Sequence, residues 1–276
     1  MQHHPCSHVV ATLMLSVVAG CGGGSSSGGG GGSVHTLAFP SGVSGGSPRF
    51  SPDGSQIAYR RQEGDGYGVA VMQASGANSR TLATDGSYLT AMTWTRDGTE
   101  VIYYGDSGIR AVPVAGGTGR LVVNAFAALG PDLSPDGSLL VYGTNGGTMR
   151  LADLRATPAI ESDLGVAGRS PRFSPDGSTI AFFDGEQIRL MDLASKAVTD
   201  VAGSTADFGG VDWFTDGRRL LAGTDRGIEI LKLGPPVERT LVNDQFALMD
   251  VDLSPDDGSA AYGVNGQPDL YVLSGL

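Results

Sequence analysis

The sequence has very few lysines and no concentrated basic segment. Only two of its 276 residues are Lys (Lys196 and Lys232), its 16 Arg are scattered singly or in pairs, and its formal net charge is −11. A nucleic-acid surface needs a concentrated basic patch, so we exclude nucleic acid as a partner. The acidic balance favours solubility first, and a cationic partner or a cation second.

Histidine and cysteine are too scarce for most catalytic or metal sites. After residue 33 the only imidazole is His35, which we interpret as structural, and no nucleophile elbow, P-loop or HExxH segment is present. The acidic loops lack the regular D-x-D-x-D spacing of calcium loops, so Ca²⁺ is a weak candidate. We therefore expect a protein that is not an enzyme and needs no cofactor.

The amino-terminal segment has the pattern of an export signal. Residues 9–18 form an apolar run of ten, too short to span a bilayer but suited to the centre of a signal peptide. The run ends in Val18-Ala19-Gly20-Cys21, which resembles the lipobox of bacterial lipoproteins and implies acylation of Cys21. The first eight residues contain no Lys or Arg, which leaves open whether Met1 is the true start.

Three regions are expected along the chain. Residues 1–20 are the signal peptide, residues 21–33 are the acylated Cys and a Gly/Ser tether with a span of roughly 20 Å, and residues 34–276 are one globular domain. Gly22 stands where an Asp would favour inner-membrane retention. We therefore expect a cell-envelope address, with the outer membrane favoured, on its periplasmic face or at the cell surface.

A turn motif repeats six times and predicts the fold. Its aspartates are spaced 44, 39, 40, 40 and 40 residues apart, and they are Asp53, Asp97, Asp136, Asp176, Asp216 and Asp256. Pro, Asp and Gly in this order favour a tight hairpin connection. Short apolar segments flank each turn and give four strands per repeat, as in a propeller blade.

The sixth repeat ends after its third strand, and His35-Thr36-Leu37 offers the missing one. His35 precedes Asp53 by 18 residues, much as Arg239 precedes Asp256 by 17. We therefore predict an all-β fold with very little helix: a six-bladed β-propeller with four-stranded blades, the last blade closed by the N-terminal strand.

Two repeats, PRFSPDGSQIAY and PRFSPDGSTIAF, resemble the WD-like blades of the TolB family. The resemblance covers residues 34–276 and implies a propeller. TolB proteins also carry an α/β domain before the propeller, whereas here an anchor and a tether occupy that place, so the resemblance concerns the blades.

The position four residues before each turn Asp points to the central channel. It carries mostly charged residues: Arg49, Thr93, Asp132, Arg172, Asp212 and Asp252. Neighbouring blades would pair Asp252 with Arg49, and Arg172 with both Asp132 and Asp212. Such a ring acts either as ion pairing between blades or as a site for a ligand or peptide end.

A second candidate surface lies at the loops that join successive blades. Four aromatic residues precede the turn aspartates by eight to ten positions: Tyr88, Phe126, Phe208 and Phe246. Acidic residues of the loops between the second and third strands lie on the same face: Glu63, Asp65, Asp106, Asp184, Glu186 and Asp225. Apolar anchors with an acidic rim fit a protein-docking surface, although the aromatics can equally pack under their own loops.

These patterns together favour a binding protein. We predict a monomeric, membrane-anchored lipoprotein whose TolB-like propeller binds an envelope protein or peptide. The alternative is a metal-dependent propeller enzyme of the lactonase or lyase type, and a purely structural scaffold is the third hypothesis. The interleaving of Arg49 and Arg172 with the channel aspartates favours binding over metal chemistry.

Overall fold

The computed structural model of the protein describes residues 32–84, 92–105, 107–125, 128–201, 210–245 and 248–276. Within these ranges the chain forms 24 β-strands and no helix, which confirms the all-β prediction. It follows that no described segment is a helix long and apolar enough to cross a membrane. The signal peptide, Cys21, Tyr88, Phe126, Phe208 and Phe246 all lie outside the described residues.

The strands form six separate antiparallel sheets of four strands each, which are the blades of a propeller. Blades 1 to 3 consist of the following strands: β2 (Val43–Phe50), β3 (Gln56–Glu63), β4 (Gly66–Gln73) and β5 (Arg80–Ala83); β6 (Met92–Trp94), β7 (Glu100–Gly105), β8 (Gly108–Pro113) and β9 (Arg120–Val123); β10 (Ala128–Leu133), β11 (Leu139–Thr144), β12 (Thr148–Asp153) and β13 (Ile160–Ala167).

The ring closes as the sequence predicts, because the first strand of the chain completes the last blade. Strand β1 pairs with β24 in antiparallel register, with His35 opposite Val272. Blades 4 to 6 consist of the following strands: β14 (Arg169–Phe173), β15 (Thr179–Phe183), β16 (Ile188–Asp192) and β17 (Val198–Asp200); β18 (Val211–Trp213), β19 (Arg219–Thr224), β20 (Gly227–Lys232) and β21 (Glu238–Asn243); β22 (Leu248–Leu253), β23 (Ser259–Val264), β24 (Leu270–Ser274) and β1 (Ser33–Leu37).

Each repeated turn is held by its own aspartate, as the first one shows. The Asp53 carboxylate accepts hydrogen bonds from the Ser51 hydroxyl at 2.6 Å and from the Ser55 backbone N–H at 3.0 Å. These bonds lower the pKa of Asp53 to about 2, so it is ionised. Gly54 follows with φ +72°, a conformation that glycine adopts without strain.

The turns also contact one another around the ring. A Cβ added to the turn glycine of blades 1, 2, 4 or 5 would lie 3.3–3.9 Å from the proline of the preceding turn. Blade 5 has Thr215 in place of that proline, and blade 6 carries an additional residue, Asp257. The Asp257 carboxylate accepts bonds from the Thr215 hydroxyl at 2.6 Å and from its N–H at 3.0 Å. The inserted aspartate therefore takes over a contact that proline makes elsewhere.

The hydrophobic core lies between adjacent blades. Second strands contribute large side chains with at most 2% exposure: Tyr59, Tyr103, Tyr142, Phe182 and Tyr262. Burying an aromatic side chain of this size stabilises the fold by roughly 1.5–3 kcal/mol. The cores of neighbouring blades thus fix the six inner strands around the central channel.

Candidate functional site: the channel at the turn face

The residues four positions before the turn aspartates lie near the end of the inner strands and converge on the channel. Each pairs with an aliphatic residue of the second strand, as Arg49 does with Ala58 and Asp132 with Val141. They line a cavity of about 310 Å³ together with turn residues such as Pro52. This cavity opens on the face of the propeller that carries the repeated turns, which we call the turn face.

Three channel aspartates hold neighbouring blades together through backbone groups. Asp252 accepts a hydrogen bond from the N–H of Phe50 at 2.6 Å, and Asp132 and Asp212 accept the equivalent bonds at 2.8 Å. The donor N–H groups belong to inner strands, which are sheet edges with no further strand to accept them. Each aspartate therefore satisfies a donor of the next blade in the ring.

The two channel arginines meet their neighbours differently. The indole Nε1 of Trp94 donates to the carbonyl oxygen of Arg49 at 3.0 Å, and Trp213 donates to the carbonyl of Arg172 at 3.2 Å. The blade that follows a channel Arg thus carries a Trp one residue after its own channel position. This junction fixes the strands through the arginine main chain and leaves both guanidinium groups for the channel.

Arg49 lies at the centre of a buried charge cluster at the closing seam. Its Nη2 is 3.0 Å from Asp250 and its Nη1 is 3.5 Å from Asp252, so the structure contains the expected pair with Asp252. Asp250 was not anticipated. It lies six residues before its turn aspartate, where the other repeats have only Ser, Ala or Gly. An aspartate at a position that otherwise holds Ser, Ala or Gly is the sequence signal that could have revealed this buried charge.

Arg172 does not form the predicted pairs with Asp132 and Asp212. Its Nη1 donates to the Pro171 carbonyl at 2.8 Å, and its Nη2 lies 4.0 Å from Asp250. The two aspartates instead bind backbone N–H groups, which places their carboxylates away from the guanidinium. The side chain is 4% exposed, and its Nε and Nη2 have no hydrogen-bond acceptor among the described residues.

The four channel aspartates face three arginines, because the exposed Arg96 lines the cavity together with Arg49 and Arg172. Burial raises the pKa of Asp212 to about 6, with a further contribution from Asp250. Burial also raises the pKa of Asp132 and Asp250, and raises that of Asp252 well above its usual value. Burial alone would lower the pKa of Arg49, but the charges of Asp250 and Asp252 offset this and the net shift is upward.

The acidic loops between second and third strands lie on the face opposite the turn face. Glu63, Asp65, Glu186 and Asp225 are exposed there, and Asp184 is half-buried with Arg189 at 2.7 Å. Asp106, like the four candidate aromatics, lies outside the described residues. Across the described ranges, no group of three or more His, Cys, Asp or Glu is arranged to hold a metal ion.

Comparison with known proteins establishes the architecture alone. No protein-family model matches the chain, and no curated protein sequence matches it. Among solved structures, a chain in the crystal structure of a mitotic checkpoint complex is similar, with a TM-score of 0.63, 14% identity, and coverage of 97% of this chain and 98% of that chain. Because 1315 solved chains match, the likeness indicates no specific partner. It shows that this chain has the fold of a WD40-like β-propeller.

Proposed function

We propose that the protein is a lipid-anchored cell-envelope protein whose propeller binds a protein or peptide partner at the turn face. The observation that carries the binding function is the cavity at the channel end, where buried charged groups are left unsatisfied. In the wall of this cavity, Arg172 has two donors without described acceptors. A partner that supplies the missing groups would gain more from binding here than at an ordinary exposed surface.

The anchoring part of the proposal is supported by the sequence. The apolar segment 9–18, the Val18-Ala19-Gly20-Cys21 motif and the Gly/Ser segment at residues 22–33 together fit an exported lipoprotein. A flexible tether of roughly 20 Å would let the domain reorient at the membrane while an acylated Cys21 holds it there. The outer membrane is our proposed location.

Membrane fractionation tests the anchor. Cys21→Ala is expected to release the protein into the soluble fraction, because the thiol that accepts the lipid is lost. Cys6→Ala is the matched control, since it removes the same group within the segment that the signal peptidase would discard. Continued membrane association of the Cys21→Ala protein would contradict the anchor.

Crosslinking in cells tests the binding function. We expect a single dominant envelope protein to be captured, and we expect Arg172→Gln to reduce the capture. Arg155→Gln is the control, because it removes the same charge from an exposed pair with Asp153. Equal capture by the wild-type and Arg172→Gln proteins would exclude the cavity as the binding site.

The same experiment separates binding from the metal-dependent enzyme alternative. A carboxylate with a pKa of about 6, as at Asp212, is in the range of a general base, and this observation favours the alternative. Metal analysis of the purified full chain discriminates between the two. Stoichiometric metal without a captured partner would favour the enzyme over the binding protein.

A further inference from the structure

The turns themselves present a strongly acidic ring around the cavity. The six turn segments (51–55, 95–99, 134–138, 174–178, 214–218 and 254–258) contain seven Asp, and their only cations are Arg96 and Arg218. The six repeated aspartates are all exposed. Hydrogen bonds within the turns lower the pKa of each, so all six are ionised at neutral pH. The turn face therefore attracts cations over a distance comparable with the Debye length.

The cavity at the centre of this ring is lined by aspartates and arginines. Asp132 and Asp212 are half-buried at its wall, whereas Arg49 and Arg172 lie deeper and are almost fully buried. The seven turn aspartates outnumber the two turn arginines and keep the entrance acidic. Arg96 of the turns also lines this cavity, so an entering cation passes one exposed guanidinium before it reaches Asp132 and Asp212. Both carboxylates already have fixed positions, because each is bonded to a backbone N–H of the next blade. Such preorganisation lowers the cost of binding.

Arg172 adds a second and independent requirement for a ligand. It lines the same cavity, and its free Nε and Nη2 donors need an acceptor oxygen. A simple inorganic cation or a polyamine has no acceptor to offer. A basic peptide provides both groups, because its Lys or Arg side chains carry positive charge and each of its residues carries a carbonyl oxygen.

We propose that the turn face docks a basic peptide segment of the partner. A Lys or Arg side chain enters the cavity towards Asp132 and Asp212, and a main-chain carbonyl oxygen accepts from Arg172. This inference deepens the proposed binding function and rests on it. It specifies the chemistry of the partner: a positively charged segment that reaches the end of the channel on the side of the repeated turns.

The probe for this proposal is a fluorescein-labelled, N-acetylated and C-amidated peptide of alternating Lys and Ala, titrated into the detergent-solubilised full chain and followed by anisotropy. The comparison probe replaces every Lys by Glu. We expect saturable binding of the Lys peptide alone, weakened by salt. Equal binding of the two peptides, or no binding of the Lys peptide, would overturn the proposal, and this comparison needs no variant.

Matched variants locate the site. The double variant Asp132→Asn and Asp212→Asn keeps an acceptor for each backbone N–H and removes two charges, so the affinity for the Lys peptide should fall at least about tenfold. Glu63→Gln with Glu186→Gln removes the same charge from the opposite face and should change the affinity less than about twofold. Equal losses in the two double variants would show unspecific attraction and contradict the assigned site. Thermal melts verify that both are folded.

Arg172→Lys tests the acceptor requirement, because it keeps the charge and loses Nε. The peptide affinity should fall several-fold, about as expected for a lost charge-assisted bond, while binding of spermidine, which has no carbonyl, should be unchanged. Equal loss for both probes would refute the carbonyl contact. If crosslinking finds a partner but the Lys peptide does not bind, the partner chemistry is wrong and the binding function stands.

Discussion

Replacing Arg49 with Met should strongly destabilise the propeller at its closing seam. The guanidinium is 4–5% exposed and compensates two buried carboxylates, Asp250 at 3.0 Å and Asp252 at 3.5 Å. Met fills a similar volume and cannot compensate either charge. Removing one partner of a buried ion pair costs about 3–5 kcal/mol, and the change at Arg49 belongs in this range.

A second substitution separates lost charge compensation from lost packing. Asp250→Ser in the Arg49→Met background removes the carboxylate that Arg49 contacts most closely, and Ser is native at the equivalent positions Ser47 and Ser170. We expect the double variant to recover at least about 2 kcal/mol of the free energy of unfolding, because less charge then stays buried without a partner.

Urea denaturation followed by tryptophan fluorescence measures these free energies. Arg155→Met, which breaks an exposed pair with Asp153, is the control and should cost less than about 1 kcal/mol. An Arg49→Met protein within about 1 kcal/mol of wild type would refute the electrostatic role of Arg49. A double variant less stable than Arg49→Met alone would show that packing dominates.

Two further predictions concern the channel and the repeated turns. The free energy of unfolding should fall by about 2 kcal/mol between about pH 4 and pH 7, because the folded state raises the pKa of Asp212 to about 6 and loses the stabilising proton as the pH rises through that value. Asp212→Asn should flatten this dependence, and urea titrations at each pH would contradict the idea if both proteins gave the same slope. Thr215→Pro should cost about 1–2 kcal/mol, because proline cannot donate to Asp257; an unchanged thermal midpoint would show that this contact contributes little.

The fold could be predicted from the sequence because each blade repeats the same local chemistry. The repeated turn around its aspartate fixes a hairpin through bonds within five residues, so its six occurrences mark six blades without any knowledge of their packing. The closure by His35-Thr36-Leu37 follows from the count of strands. Both predictions depend on short-range pattern and repetition, and the structure confirms both.

The contacts of the channel could be predicted only in part, because they depend on geometry between blades. The position of Asp132 and Asp212 in the ring follows from their spacing to the turns. Their backbone acceptor role does not, because it requires knowing that the next inner strand is an open edge with a free N–H. The role of Asp250 could not be predicted from the ring position alone, because this side chain comes from two residues before that position and reaches Arg49 across the closing seam.

The contacts between blades depend on the residues that two neighbouring repeats carry at and next to the channel position. Where one blade has a channel Asp, the next offers an inner-strand N–H, as Phe50 does to Asp252. Where it has a channel Arg, the next offers a Trp indole, as Trp94 does to Arg49. The first arrangement holds the carboxylate in place. The second uses only the main-chain carbonyl of the arginine and leaves its guanidinium in the channel. At Arg49 the partner is Asp250, but Arg172 keeps two free donors among the described residues. Among the described residues that line the cavity, Arg172 is therefore where a ligand can supply a missing acceptor.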